Sequence, residues 1–142
     1  MPKRIILWTT LLLWVTLAIF LSRQTGAETA SLSLRLAKII IDFSHLNLDL
    51  NAFHLLLRKA AHIGIYFVTG ILMAGACIAT FSRKAAISIA LLSAAALSVL
   101  DELQKIHIEG RHCQWDEAGL NMISAVIGIG IVILVSFKKK RE

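Results

Sequence analysis

Four apolar runs constrain this chain more than any other feature. They cover roughly residues 5–21, 60–80, 85–104 and 118–137. A helix rises about 1.5 Å per residue, so runs of this length approach a hydrocarbon core about 30 Å thick. Backbone in lipid must satisfy its own hydrogen bonds, and a single apolar run does so as a helix. The expected fold is all-α: an integral membrane bundle of four transmembrane helices, forming a single domain over residues 1–142. Composition points the same way. Of the 142 residues, 57% are hydrophobic and one is Pro. The mean hydropathy of +0.74 is too high for an ordinary soluble domain.

The formal net charge is +6. Such a balance can serve nucleic acid, but here the bases sit at span ends, where orientation signals and anionic lipid account for them. Nucleic acid is therefore not an expected partner, whereas membrane lipids are. Lys3, Arg4, Arg83, Lys84, Lys138, Lys139, Lys140 and Arg141 fall on one side of a four-span chain, with Glu142 as that side's acid. The preference for cytoplasmic bases puts both termini in the cytoplasm. The first run also has features of a secretory signal, since bases lead it and Thr25-Gly26-Ala27 follows it. Its length, with Trp8 and Trp14 inside it, favours a retained helix.

Between the first two spans lies the longest polar segment, residues 22–51. Leu32, Leu36, Ile39, Ile40 and Phe43 recur there at helical spacing, with Ser33, Arg35, Lys38 and Asp42 on other faces. That pattern fits an amphipathic helix lying in the membrane interface, or a surface helix packed on the bundle. Leu46, Leu48 and Leu50 then alternate with polar residues as an extended connector, and Asn51 is the expected N-cap of the next helix. Ser82-Arg83-Lys84 reads as a tight turn. Ala90, Ala94 and Ser98 form a small-residue stripe that permits close helix approach. Asn121, Ser124 and Gly128 share a face of the fourth span.

Charge concentrates in two places. Arg58, His62 and Tyr66 fall at i, i+4 and i+8 of the second helix, with Lys59 beside His62. The stretch from Asp101 to Asn121 holds five acids, two bases and two histidines between apolar runs. Ionisable groups at or below a membrane interface are costly and so point to function. Both clusters are expected at the outer face, as one composite site.

These residues resemble a known family. RKAAHIGIY in the second helix, DE and EGR in the charged stretch, and NMISAVIG in the last helix look like the VanZ-like membrane proteins, named for a protein associated with low-level teicoplanin resistance. The likeness covers nearly the whole chain. It implies a multi-pass protein of the bacterial cytoplasmic membrane. The family's recurring polar positions carry over as Arg58, Lys59, His62, Tyr66, Asp101, Glu102, Gly110, Arg111 and Asn121. The chain departs from the family pattern at Ile65 for Glu, Lys105 for Gln, Glu109 for Pro, Glu117 for Asp and Ser124 for Gly.

Three kinds of chemistry fit. In the first, Arg58, Lys59, His62, Tyr66, Asp101, Glu102, Arg111, Glu117 and Asn121 form a binding site for an anionic lipid or, following the family theme, a lipid-linked cell-wall precursor. In the second, His62 acts as a general base with Asp101 or Glu102, and Arg111 stabilises developing charge. In the third, Arg58, Lys59 and Arg111 pair with Asp101, Glu102 and Glu117 purely as a scaffold. No cofactor is expected. A metal site is not expected either, because His107, His112 and Cys113 match no standard zinc spacing. Cys77 and Cys113 lie too far apart in the expected topology for a disulfide.

Overall fold

The computed structural model describes residues 2–45 and 47–138. Five helices follow in order: α1 (Pro2–Ser22), α2 (Gly26–Ser44), α3 (Leu50–Thr80), α4 (Arg83–Lys105) and α5 (Trp115–Lys138). Among the described residues no strand occurs. All but α2 are long and apolar enough to cross a membrane, as the sequence predicts. Leu46 of the expected connector and the terminal bases Lys139, Lys140 and Arg141 lie outside the described residues.

Local chemistry sets the helix ends. Thr25 caps α2 through a reciprocal pair: its hydroxyl accepts from the Glu28 N–H at 3.2 Å, and its own N–H donates to Glu28 Oε2 at 2.8 Å. The Thr25 N–H, and then the Thr25 hydroxyl donating to Oε2 at 2.9 Å, hold the exposed Glu28 carboxyl below its ordinary pKa. Asp49, not Asn51, caps α3, its Oδ2 accepting from the Ala52 N–H at 2.9 Å. The helix starts two residues sooner than expected, and an acid at its N-terminus also suits the helix dipole. At the other end of the bundle the turn shrinks to Phe81 and Ser82, so that Arg83 and Lys84 enter the first turn of α4.

The centre of the bundle is built for close approach. A Cβ on Gly70 of α3 would overlap the carbonyl of Ala125 in α5, and one on Gly128 of α5 would overlap the carbonyl of Phe67 in α3. Each helix thus supplies the glycine that lets the other's backbone in. Ala90, Ala94 and Ser98 on α4 are all buried, as small-residue packing requires. The antiparallel helix α1 is tied to α3 by two indoles. Trp8 Nε1 donates to Thr80 Oγ1 at 3.0 Å, and Trp14 Nε1 to Thr69 Oγ1 at 3.1 Å and the Ile65 carbonyl at 3.2 Å.

Helix α2 packs on α3 in an unusual sense. Its buried residues are Ser33 and Ala37, while Ile39 and Phe43 stay 64% and 88% exposed. The packed face is small and the large apolar stripe is left uncovered by protein. A surface helix folded onto a soluble core would do the reverse. Uncovered side chains of this kind suit lipid contact.

Candidate functional site

The end of α1, the start of α2, the first turns of α3, the end of α4 and the start of α5 converge at one end of the bundle. The 106–114 hinge closes over them. Its Glu109 carbonyl accepts from the Gly26 N–H at 3.1 Å. Gly110 takes a positive φ of 68° and lies so close to Gly26 that a Cβ there would overlap the Gly110 carbonyl. Arg111 adds a second tie by donating from Nη2 to Thr29 Oγ1. The start of α2 is thereby clasped to the hinge, far away in sequence.

Beneath the hinge lies a sealed ionic knot. Lys105, only 1% exposed, sends its ammonium to Glu102 Oε1 at 2.5 Å, Glu117 Oε2 at 3.0 Å and Asp101 Oδ2 at 4.0 Å. Glu102 is fully buried, and its second oxygen accepts from the Gln114 N–H at 3.1 Å. Gln104 Nε2 donates to Asp101 Oδ1 at 3.0 Å. His62 Nε2 stands 3.9 Å from Glu117 Oε2.

This corrects the expected scaffold pairing. Among the described residues the acids are paired by Lys105, with His62 beside Glu117 as a charged partner only when protonated, and no ion pair joins them to Arg58, Lys59 or Arg111. Lys105 reaches Asp101 and Glu102 along its own helix at i+4 and i+3, at no cost in loop ordering. Its spacing was a usable signal, although the residue first stands out as a departure from the family pattern.

Beside the knot is a cavity of about 420 Å³ between α1, α2 and α3. Its apolar wall includes Leu21 of α1, Leu32, Leu36 and Ile40 of α2, and Leu57 and Ile65 of α3. Its polar wall combines Arg58, His62, Tyr66, Asp101 and Arg111 with Ser22, Thr29 and Ser33. Thus His62, from the second span, and Asp101, from the third, face one space. The Tyr66 hydroxyl sits beside Asp101 and donates its single proton to the Leu97 carbonyl at 3.4 Å. A smaller void of about 110 Å³ lies on the other side of Tyr66 and Asp101. The α2 contributions were not legible as site residues, because helical spacing marks an apolar stripe without saying what it faces.

The remaining expected residues are placed differently. Lys59 is exposed and outside the cavity. Glu102 and Asn121 are fully buried, and both also lie outside it. Neither side-chain amide atom of Asn121 has a hydrogen-bond partner. Glu117 reaches the cavity region only through His62. Cys77 and Cys113 are free. Among the described residues no cluster of three or more metal-ligating side chains forms.

The cavity wall carries charges of both signs, Arg58 and Arg111 with Asp101. Arg111 has its pKa lowered from the ordinary value, first by burial and then by the like charge of Arg58. The Glu117, Asp101 and Glu102 carboxylates act on Arg111 in the opposite sense, and a guanidinium facing an apolar space can also take a phosphate or carboxylate. His62, Asp101 and Arg111 also share the space, which keeps the components of general acid–base chemistry together.

No curated protein and no solved structure shows significant similarity to the chain. The sequence profile of the VanZ/LLP1 family, however, matches residues 7–136. That match takes in most of α1, all of α2, α3, α4 and the hinge, nearly all of α5, and every residue of the knot and cavity described above. With four membrane-length apolar helices and a family match of this extent, the chain is a multi-pass membrane protein belonging to the VanZ/LLP1 family.

Proposed function

We propose that this protein binds an anionic lipid or lipid-linked cell-wall precursor in the cavity between α1, α2 and α3, at the outer face of the bacterial cytoplasmic membrane. Through that ligand it would alter sensitivity to glycopeptides such as teicoplanin. The observation that carries the reading is the division of one cavity into an apolar wall and a charged wall. Leu32, Leu36, Ile40 and Leu57 suit a hydrocarbon chain, and Arg58 and Arg111 suit a phosphate or carboxylate.

The test is lipid retention by the purified full chain. Arg58→Ala with Arg111→Ala should lower retention of phosphatidylglycerol about tenfold or more by native mass spectrometry, since each charge-assisted contact is worth about 1.5–3 kcal/mol. Lys59→Ala, an exposed base outside the cavity, should leave it unchanged. Equal losses in both variants would point to diffuse surface charge and sink the reading.

The orientation rests on the charge distribution of the loops and is tested separately. In intact cells a membrane-impermeant maleimide should label Cys113 of the hinge, while Cys77, buried in the bundle, stays protected. Labelling only after permeabilisation would put the cavity on the cytoplasmic side.

A catalytic reading keeps some support from His62, which lies 3.9 Å from Glu117 and lines the cavity with Asp101. On that reading His62 removes a proton from a bound lipid or precursor, and Arg111 stabilises the charge that develops. Glu102 is sealed beneath Lys105 and is poorly placed to assist. A bound candidate lipid that is recovered chemically unchanged after prolonged incubation counts against this alternative.

A further inference from the structure

Five buried side-chain polar atoms have no hydrogen-bond partner among the described residues: Ser22 Oγ, Asp101 Oδ2, Arg111 Nε and both amide atoms of Asn121. The first three belong to residues that line the same cavity. Buried polar groups are normally satisfied, and each exception needs a reason. Three exceptions from α1, α4 and the hinge, gathered around one space, have a common reason if the occupant supplies their partners.

The types of these atoms define what the occupant must carry. Arg111 Nε can only donate, so it requires an acceptor. Asp101 Oδ2 can only accept while ionised, so with the neighbouring Tyr66 hydroxyl turned to the Leu97 carbonyl it takes an O–H or N–H donor from elsewhere. Gln104 already holds the other carboxylate oxygen, and the Lys105 ammonium stands 4.0 Å from Oδ2, beyond hydrogen-bond range. Ser22 Oγ can do either. Counted with the knot behind the wall, Arg58, Arg111 and Lys105 balance Asp101, Glu102 and Glu117, so the acceptor group is placed by the two guanidiniums that face the space and not by a net positive charge.

We infer that the cavity selects lipids whose head group joins a phosphodiester monoanion to a hydroxyl, the phosphate lying against Arg58 and Arg111 and the hydroxyl donating to Asp101. This deepens the proposed lipid binding and rests on it. The shared chemistry occurs in glycerophospholipids with a hydroxylated head and in sugar-phosphate prenols. A plain anion does not meet it, because a phosphate flanked only by alkyl esters leaves Asp101 Oδ2 unsatisfied next to new negative charge.

Two matched probe pairs test the idea on the purified full chain. The first is phosphatidylglycerol against phosphatidylmethanol with the same acyl chains. Both are monoanionic phosphodiesters, and only the first has a head-group hydroxyl. The second is a glucosyl phosphoprenol against the methyl ester of the same phosphoprenol. The wild-type chain should prefer the hydroxylated member of at least one pair about tenfold, the scale of one hydrogen bond to a charged group. The pair that shows the preference identifies the source of the ligand.

Asp101→Asn should abolish that preference. It should also hold or tighten binding of the methyl ester, because an acid has been removed from beside an anion. Such opposite changes are not expected from a merely misfolded cavity. Equal affinities within both pairs in the wild-type chain would overturn the inference while leaving anion binding standing. Failure of all four anionic probes to outcompete a neutral diacylglycerol would instead overturn the lipid-binding reading beneath it.

Discussion

Lys105→Met should lower the stability of the full chain in detergent by about 3–5 kcal/mol, the cost of breaking a buried ion pair from one side. The size follows from what is left behind. Glu102 is fully buried and loses the ammonium 2.5 Å away, and Glu117 loses a partner at 3.0 Å. Both charges would remain in a space with little water to take over. Adding Glu102→Gln to Lys105→Met should recover part of the loss, because the fully buried charge goes with its partner while Glu117 and Asp101 still lack the ammonium. Thermal unfolding of the three proteins checks the order. A single Lys105→Met variant as stable as the wild type would mean that the knot does not hold the hinge.

The second large effect is expected where α3 meets α5. Alanine has a better helix propensity than glycine by about 1 kcal/mol, so Gly→Ala in an open helical position should stabilise. At Gly130, where an added Cβ meets nothing within 4 Å, that gain should appear or the change should be neutral. At Gly70 the same Cβ would overlap the Ala125 carbonyl. Backbone must move there, and overpacking of this type costs about 1–3 kcal/mol or more. Opposite signs for Gly70→Ala and Gly130→Ala, measured by the same unfolding assay, identify close backbone approach as the reason for the glycine. A destabilisation of equal size at both positions would contradict it.

Much of the architecture is legible because lipid imposes a simple grammar on apolar runs, and α1, α3, α4 and α5 follow it. Helix α2 is legible too, both from its periodic Leu32, Leu36, Ile39, Ile40 and Phe43 and from Thr25 and Glu28 at capping-box spacing. That same Thr25-Gly26-Ala27 sequence suggests a cleavage site when read without its partner three residues on. The residues of the charged end were visible, but their pairing was not. By location along the chain, Arg58, Lys59 and Arg111 are the expected partners of the acids. Lys105 takes that role because helical geometry brings it to Glu102 while Arg111 is drawn to Thr29. Such competition is decided by distances between helices, which no periodicity records. The cavity is hidden for the same reason, since its apolar wall is shared by α1, α2 and α3 and its charged wall joins α3 to Asp101 and Arg111, far away in sequence.

The indole of Trp14 has a bearing beyond holding α1 in place. The helix it anchors to Thr69 also supplies Ala18, Leu21 and Ser22 to the cavity, so the fluorophore sits on the beam that carries one side of the chamber. Trp115, 63% exposed at the start of α5, offers a reference outside the cavity lining in the same molecule. An emission change that survives Trp115→Phe and disappears with Trp14→Phe would follow that beam directly as an occupant enters or leaves, without any label.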